Sequence, residues 1–156
     1  MTGLEKMLFW NVDTQFDFMR KEGKLYVRGA ERIEPALRKL TGLAASYGFV
    51  VVNTADSHDK NSHELSDKPD FVKTFPEHCM YHTPGTKFVP ATEPKVPYVI
   101  DWRQPLYERV LAVHRNIVLT KDDFDVFHKT HGSPHAERML ELLKPERVFV
   151  YGVATN

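Results

Sequence analysis

Apolar positions in this chain follow two rhythms. Four short stretches are apolar without interruption or nearly so: Met7 to Val12, Phe49 to Thr54, Asn116 to Thr120 and Arg147 to Gly152. Strands buried on both faces of a parallel sheet require runs of this kind. Between them the period lengthens. Ile33, Leu37, Leu40 and Ala44 recur at helical spacing, with Pro35 in the first turns and Gly48 where a left-handed residue ends helices. Leu106, Val110 and Val113 predict a helix over 105–114. Ala136, Met139, Leu140 and Leu143 predict another, introduced by Ser133-Pro134 as N-cap and first residue and closed by Pro145. Strand, helix, strand in this order implies right-handed parallel crossovers. The expected fold class is therefore α/β: three layers, doubly wound, with a mainly parallel Rossmann-like sheet of about four strands in these residues.

Two segments break the rhythm. The stretch after the first strand has no sustained period and contains Gly23 and Gly29, so it reads as a loop with a short strand around Leu25 to Val27. From His58 to about Pro97 the chain makes a long excursion with six prolines. Phe71, Phe75, Tyr81 and Phe88 within it argue against disorder, which leaves a functional loop as the reading.

The predicted strand ends carry chemistry. Asp13, Asp56 and Lys121 each stand at or just past the carboxyl end of a strand, the edge where open α/β sheets place their sites. Asp56, His58, His63 and His78 follow the second strand, and a carboxylate with imidazoles suits a first-row divalent ion such as zinc, iron or manganese. Spacing alone does not separate a metal site from solvated loop histidines. Asp122 and Asp123, beside Lys121, keep open the reading of Lys121 as a solvated surface residue.

Length and charge narrow the class. A chain of 156 residues makes one domain or most of one. Its 21 basic and 21 acidic residues balance, so no global field favours nucleic acid or a membrane surface, and the expected partner is a small molecule or a protein. No apolar run approaches the ~20 residues of a membrane span, and no signal pattern opens the chain, so a soluble cytoplasmic protein is expected. The single cysteine, Cys79, excludes an internal disulfide framework. The fourth strand stops four residues before Asn156 with no helix to cover it, so residues 1–156 are expected to be a single domain lacking its C-terminal part.

Five stretches in order carry a resemblance. They are Asp13 with Gln15 and Asp17-Phe18; Asp56-x-His58; Phe75-Pro76-Glu77-His78-Cys79; Lys121 with Phe124 and Phe127; and Tyr151-Gly152-Val153-Ala154-Thr155-Asn156. Together they resemble the isochorismatase-like cysteine hydrolases and, among these, the nicotinamidases. The resemblance implies a six-stranded parallel sheet and an Asp, Lys, Cys triad in which Asp13 and Lys121 are the first two members. The cysteine would fall two positions beyond Asn156. It further implies an oxyanion hole using the Ala154 N–H, a cis Val153–Ala154 bond, and Phe18 and Phe75 around the substrate ring. For the metal it implies Asp56, His58 and His78, with His63 and the adjacent Glu64 competing for the fourth place; His63 is the expectation, and zinc the expected ion ahead of iron or manganese.

The activity implied is hydrolysis of nicotinamide, or a close heteroaromatic amide such as pyrazinamide, to the acid and ammonia through a cysteine thioester. Pyridine nucleotide biosynthesis would follow from that substrate. The alternatives are a related hydrolase of an N-carbamoyl amide or a vinyl ether, and a catalytically inactive metal-binding fragment. Family members assemble, so a homo-oligomer is expected. Cys79 is not taken as the nucleophile, because free cysteines are most often small buried apolar residues. His82, His114, His128, His131 and His135 have no motif behind them.

Overall fold

The structure, a computed structural model, describes residues 6–154. Five strands form one all-parallel sheet: β1 (Met7–Val12), β2 (Val50–Asp56), β3 (Tyr98–Ile100), β4 (Asn116–Lys121) and β5 (Arg147–Gly152). Their order across the sheet is β3-β4-β2-β1-β5. Four of these are the expected strands. β3 is an addition, three residues long at the sheet edge and too short to register as a period.

Side chains alternate across the sheet and so build two cores. Phe9 and Val51 face one side, where α2 (Glu34–Tyr47) packs through Leu37 and Ala44. Leu8, Trp10, Val52, Ile117 and Leu119 face the other, beneath α3 (Val110–Val113) and α4 (Ala136–Leu143). These are the three layers that the unbroken apolar runs call for. A single helical turn, α1 (Phe16–Met19), follows β1. Among the described residues no helix is long and apolar enough to cross a membrane.

Helix ends agree with the sequence in part. Pro35 lies in the first turn of α2, and Gly48 ends it at φ +67°, its N–H donating to Ala44 and Ala45. α3 is shorter than the expected 105–114, only one turn. The residue capping α4 is His135; the expected cap, Ser133, is buried and accepts from the Ala136 N–H through its carbonyl. Leu25 to Val27 is not a strand. The Leu25 and Val27 N–H groups instead donate to the carbonyls of Asp17 and Phe18, which folds this loop onto α1.

The proline-rich excursion is tied down by isolated bridges, His58 to Met80 and Leu65 to Phe75. At the opposite end of the chain, Gly152 has φ +130°, and a Cβ there would lie 2.1 Å from the Val12 carbonyl oxygen. Only glycine lets the end of β5 pass that close to β1, where the Val153 N–H donates to Val12 at 3.0 Å.

Candidate metal and catalytic site

Strand register assembles the first half of the site. Asp56 in β2 stands opposite Lys121 in β4, and Asp13 follows Val12, the partner of Thr54. All three chains of atoms end on one edge, buried. The Lys121 Nζ lies 3.1 Å from Asp13 Oδ2, donates to Asp56 Oδ1, and donates to the Asp123 carbonyl at 3.0 Å. An ammonium has three donors, and each has an acceptor here. The Thr54 hydroxyl donates to the other Asp13 oxygen at 2.6 Å. Asp13 itself sits at φ +49°, a left-handed conformation that aspartate tolerates better than most residues.

The charges divide the two carboxylates. Burial would lower the Lys121 pKa, but the two aspartates outweigh it and hold the ammonium charged. Burial would raise Asp56, yet Lys121, His58 and His78 hold it well below the usual carboxylate range. Asp13 goes the other way, raised by burial and by the Asp56 charge against the pull of Lys121. Of the pair, Asp13 is the one fitted to take up a proton.

The second half of the site shares Asp56. The bridge at His58 zips two loop strands together, the His58 N–H donating to Cys79 and the Tyr81 N–H to His58. This sets His78 beside His58. The second bridge, through the Phe75 N–H to Glu64, turns Glu64 inward. His58 Nε2 lies 3.6 Å from Asp56 Oδ2 and 3.1 Å from Glu64 Oε1, and His78 Nε2 lies 3.4 and 3.6 Å from the same two oxygens. Ligands bonded at 2.0–2.1 Å in a tetrahedron stand roughly 3.3–3.4 Å apart. The spacing fits a small divalent ion.

Two further observations support that fit. His58 Nε2 and Glu64 Oε1 are buried without any hydrogen-bond partner, a costly arrangement unless something binds them. Both imidazoles are oriented from behind: His58 Nδ1 meets Asp122 Oδ1 at 2.9 Å, and His78 Nδ1 meets the Pro76 carbonyl at 2.8 Å. Donating through Nδ1 leaves each Nε2 lone pair facing the cluster, as metal-ligating histidines require. Among protein groups alone, burial lowers the His58 pKa, but the hydrogen bond from Nδ1 to Asp122 and the Asp56 and Glu64 carboxylates facing Nε2 overcome it and push it up to about 11. The ring nitrogen is thus surrounded by anionic charge suited to a cation.

The fourth member of this cluster is Glu64, where His63 was expected. The two are the central residues of a turn closed by the Leu65 N–H donating to the Ser62 carbonyl at 3.2 Å, and they leave it in different directions. Glu64 is 1% exposed, anchored through Oε2 by the Phe124 N–H at 2.8 Å. His63 is turned outward and pairs with Asp123 at 2.9 Å. The sequence reading also missed Asp122. No motif assigns it a role, yet it is buried and holds His58 in place. The polar run Lys121-Asp122-Asp123 carries no periodic signal that would have exposed this.

A cavity of about 340 Å³ joins the two halves. Asp13, Lys121, Asp56, Glu64 and His78 lie on its polar side, and Phe18, Phe75 and Phe124 among its apolar walls. Phe18 and Phe75 meet the His78 ring edge-on, at 5.4 and 6.2 Å between centroids. Ala154 lines the same cavity at φ +51°. The expected cis bond before it is absent: no cis peptide occurs among the described residues. Trans geometry needs no compensation from the surroundings, and the left-handed turn at Ala154 redirects the chain instead. Asn156 and Thr155, the end of the last motif, lie outside the described residues.

Cys79 does not face this cavity as a nucleophile would. It is fully buried, its Sγ 3.7 Å from the Gly85 carbonyl, and its thiol pKa is pushed well up by burial and by Asp56, Asp17 and Asp13. Asp17 accepts from the Cys79 N–H at 2.7 Å. That contact needs Gly85, where a Cβ would lie 2.1 Å from Asp17 Oδ2.

Comparison with known proteins converges on one group. The nicotinamidase/pyrazinamidase of Mycobacterium tuberculosis is 35% identical over 82 residues, 53% of this chain. That match takes in 43% of the relative's length. Pyrazinamidase of Pyrococcus horikoshii, solved in complex with zinc, superposes with a TM-score of 0.67 at 22% identity, covering 96% of this chain and 72% of that one. An isochorismatase family protein from Desulfovibrio vulgaris does so with a TM-score of 0.69 at 19% identity, covering 95% and 67%. The chain has the isochorismatase-like hydrolase fold. No protein-family model matches it. The sequence resemblance to a nicotinamidase/pyrazinamidase and the buried His, Asp and Glu cluster lie on the same fold, and the likeness to the solved structures is as good for the isochorismatase family protein as for the pyrazinamidase.

Proposed function

We propose that this isochorismatase-like domain belongs to an amidohydrolase that converts nicotinamide, or a close heteroaromatic amide such as pyrazinamide, to the acid and ammonia through a cysteine thioester. The observation that carries this reading is the convergence of the Asp13–Lys121 pair and the two-histidine, two-carboxylate cluster on one aromatic-walled cavity. The fold alone does not choose among substrates, since relatives with other chemistry superpose equally well. The cluster favours a substrate with a ring nitrogen.

Asp56, His58, Glu64 and His78 would hold one divalent ion, with zinc first by donor chemistry. When bound, the ion supplies a Lewis-acid anchor for the ring nitrogen. Phe18 and Phe75 flank the ring and exclude water from it. Asp13 takes the thiol proton as sulfur attacks the amide carbon, then passes it to the nitrogen as the C–N bond breaks and ammonia leaves. Water hydrolyses the thioester to the acid with Asp13 again as the base. Lys121 keeps Asp13 oriented and stabilises the thiolate. The Ala154 N–H is one donor to the developing oxyanion. A thiol of ordinary pKa ~8.5 needs that base and cation nearby to react at neutral pH. Cys79 is fully buried with its Sγ against the Gly85 carbonyl and its pKa pushed up, so the reading calls for the thiol that the resemblance puts beyond Asn156.

The test is ammonia release by the full-length, zinc-loaded protein given nicotinamide, with peptide mapping of the thioester. Release accompanied by acylation of a cysteine other than Cys79 supports the reading. No release from nicotinamide or pyrazinamide, while an N-carbamoyl amide is turned over, overturns it.

A further inference from the structure

A second histidine cluster lies on the outer side of Asp122. His63 comes from the proline-rich excursion, and His128 and His131 from the loop after β4. The His63 and His131 rings stack with centroids 3.9 Å apart and planes 28° apart, and His128 lies beyond at 5.6 Å from His131. Ligand atoms of His63, His131 and Asp122 all fall within 4.8 Å of one another. Neither the catalytic pair nor the buried cluster uses these histidines.

The loop that presents them is preformed. The Asp122 N–H donates to the His131 carbonyl at 2.9 Å, and the Gly132 N–H to His128 at 2.9 Å. Gly132 is required for this compactness, because a Cβ there would lie 2.4 Å from the Asp125 carbonyl oxygen. The two acids at the base are already half committed. Asp122 Oδ1 takes His58 and Ser62, and Asp123 Oδ1 takes the Asp125 N–H. Asp123 Oδ2 faces His63 at 2.9 Å and His128 at 3.4 Å, and Asp122 Oδ2 has no hydrogen bond among the described residues. His63 and His128 are exposed and His131 half-buried, so their rings can rotate to bring ligand atoms that lie within 4.8 Å of one another to the roughly 3.3 Å of a bound ion.

We propose that His63, His131 and Asp122, with His128 and Asp123 beside them, form a second transition-metal site distinct from the buried one. Imidazoles with one carboxylate take zinc, cobalt, nickel or copper in preference to magnesium or calcium. The site is joined to the buried cluster through one side chain, Asp122, whose Oδ1 orients His58. A cation on the outer side of Asp122 draws on the same carboxylate charge that makes His58 a good ligand, so each ion weakens the other's hold. By linkage the effect is equal in both directions. Metal supplied in excess therefore loosens the buried ion through the protein's own surface.

Equilibrium dialysis of the full-length protein against zinc, followed by elemental analysis, tests this. The expectation is two ions per chain in the wild type, one in the double variant His63→Ala/His131→Ala, and one in His78→Ala. Cobalt in place of zinc adds a spectroscopic readout, with the outer site's absorption missing from the double variant alone. In the double variant the buried ion should be held more tightly when zinc is in excess. A double variant that binds as many ions as the wild type overturns the proposal. If one ion binds and is lost in His78→Ala but kept in the double variant, the proposal also fails while the buried site stands. If one ion binds and is lost only in the double variant, the outer site stands and the buried site fails.

Discussion

The two histidine clusters on this edge of the sheet use the same ligand types and touch the same aspartate, yet they are built differently. In the buried cluster each imidazole is held by a hydrogen bond from behind, each carboxylate divides its oxygens between a ligand position and a structural contact, and the imidazole nitrogens already stand 3.1–3.6 Å from the carboxylate oxygens. In the outer cluster the rings stack on one another, and His63 and His128 are exposed. The difference is preorganisation. Burial removes the water that would compete and leaves His58 Nε2 and Glu64 Oε1 unpartnered, so the inner cluster has more to gain from a cation.

The sharpest way to probe the inner half is at its base. Asp13→Asn keeps the shape but removes proton transfer, and amide turnover should fall about 10²–10⁴-fold with the circular-dichroism spectrum unchanged. Unchanged turnover would show that Asp13 is only a strand-end cap. Lys121→Met strands two buried carboxylates without their cation, and should cost about 3–5 kcal/mol of unfolding free energy in urea. A loss under 1 kcal/mol would mean that the pair is wetter than the structure has it. Asp122→Ala touches both clusters. Its removal frees the His58 ring and should weaken zinc at the buried site about 10–100-fold, read by competition with a chromophoric chelator. An affinity equal to wild type would show that His58 needs no support from behind. His128→Ala touches the outer cluster alone, and the same competition at substoichiometric zinc should move by less than about twofold, within the ±0.5 kcal/mol of an ordinary surface change. A larger shift would erase the distinction between the two clusters.

Much of this site was legible in advance, and the gaps have physical causes. Asp13, Asp56 and Lys121 could be placed on one edge because each ends an apolar run, and parallel strands align their carboxyl ends. His58 and His78 were legible through the order of the motifs. His63 and Glu64 could not be told apart, since neighbouring residues in a loop without a period carry no signal of which side faces in. Asp122 and Asp123 gave no sign of a role because their partners, His58 and His63, lie about sixty residues away in the chain. β3 was missed because three residues at an edge make no pattern. The cis bond expected before Ala154 came from resemblance alone, and the chain turns there by a positive φ instead.

By itself the sequence determined the order of the four longer strands and of the main helices, the two-sided burial of β1, β2 and β4, and the identity of the groups delivered to the sheet's edge. These follow from periodicity and from local preferences, which act between residues a few positions apart. Only the tertiary structure decided that Lys121 bridges both aspartates, that Glu64 rather than His63 turns inward, and that Asp122 stands between two histidine clusters. Each of those outcomes depends on how β2 and β4 register and on how a loop of some forty residues closes back on β2. The free energy that selects them is the need to pair buried charges, and that need exists only once the chain has brought them out of water.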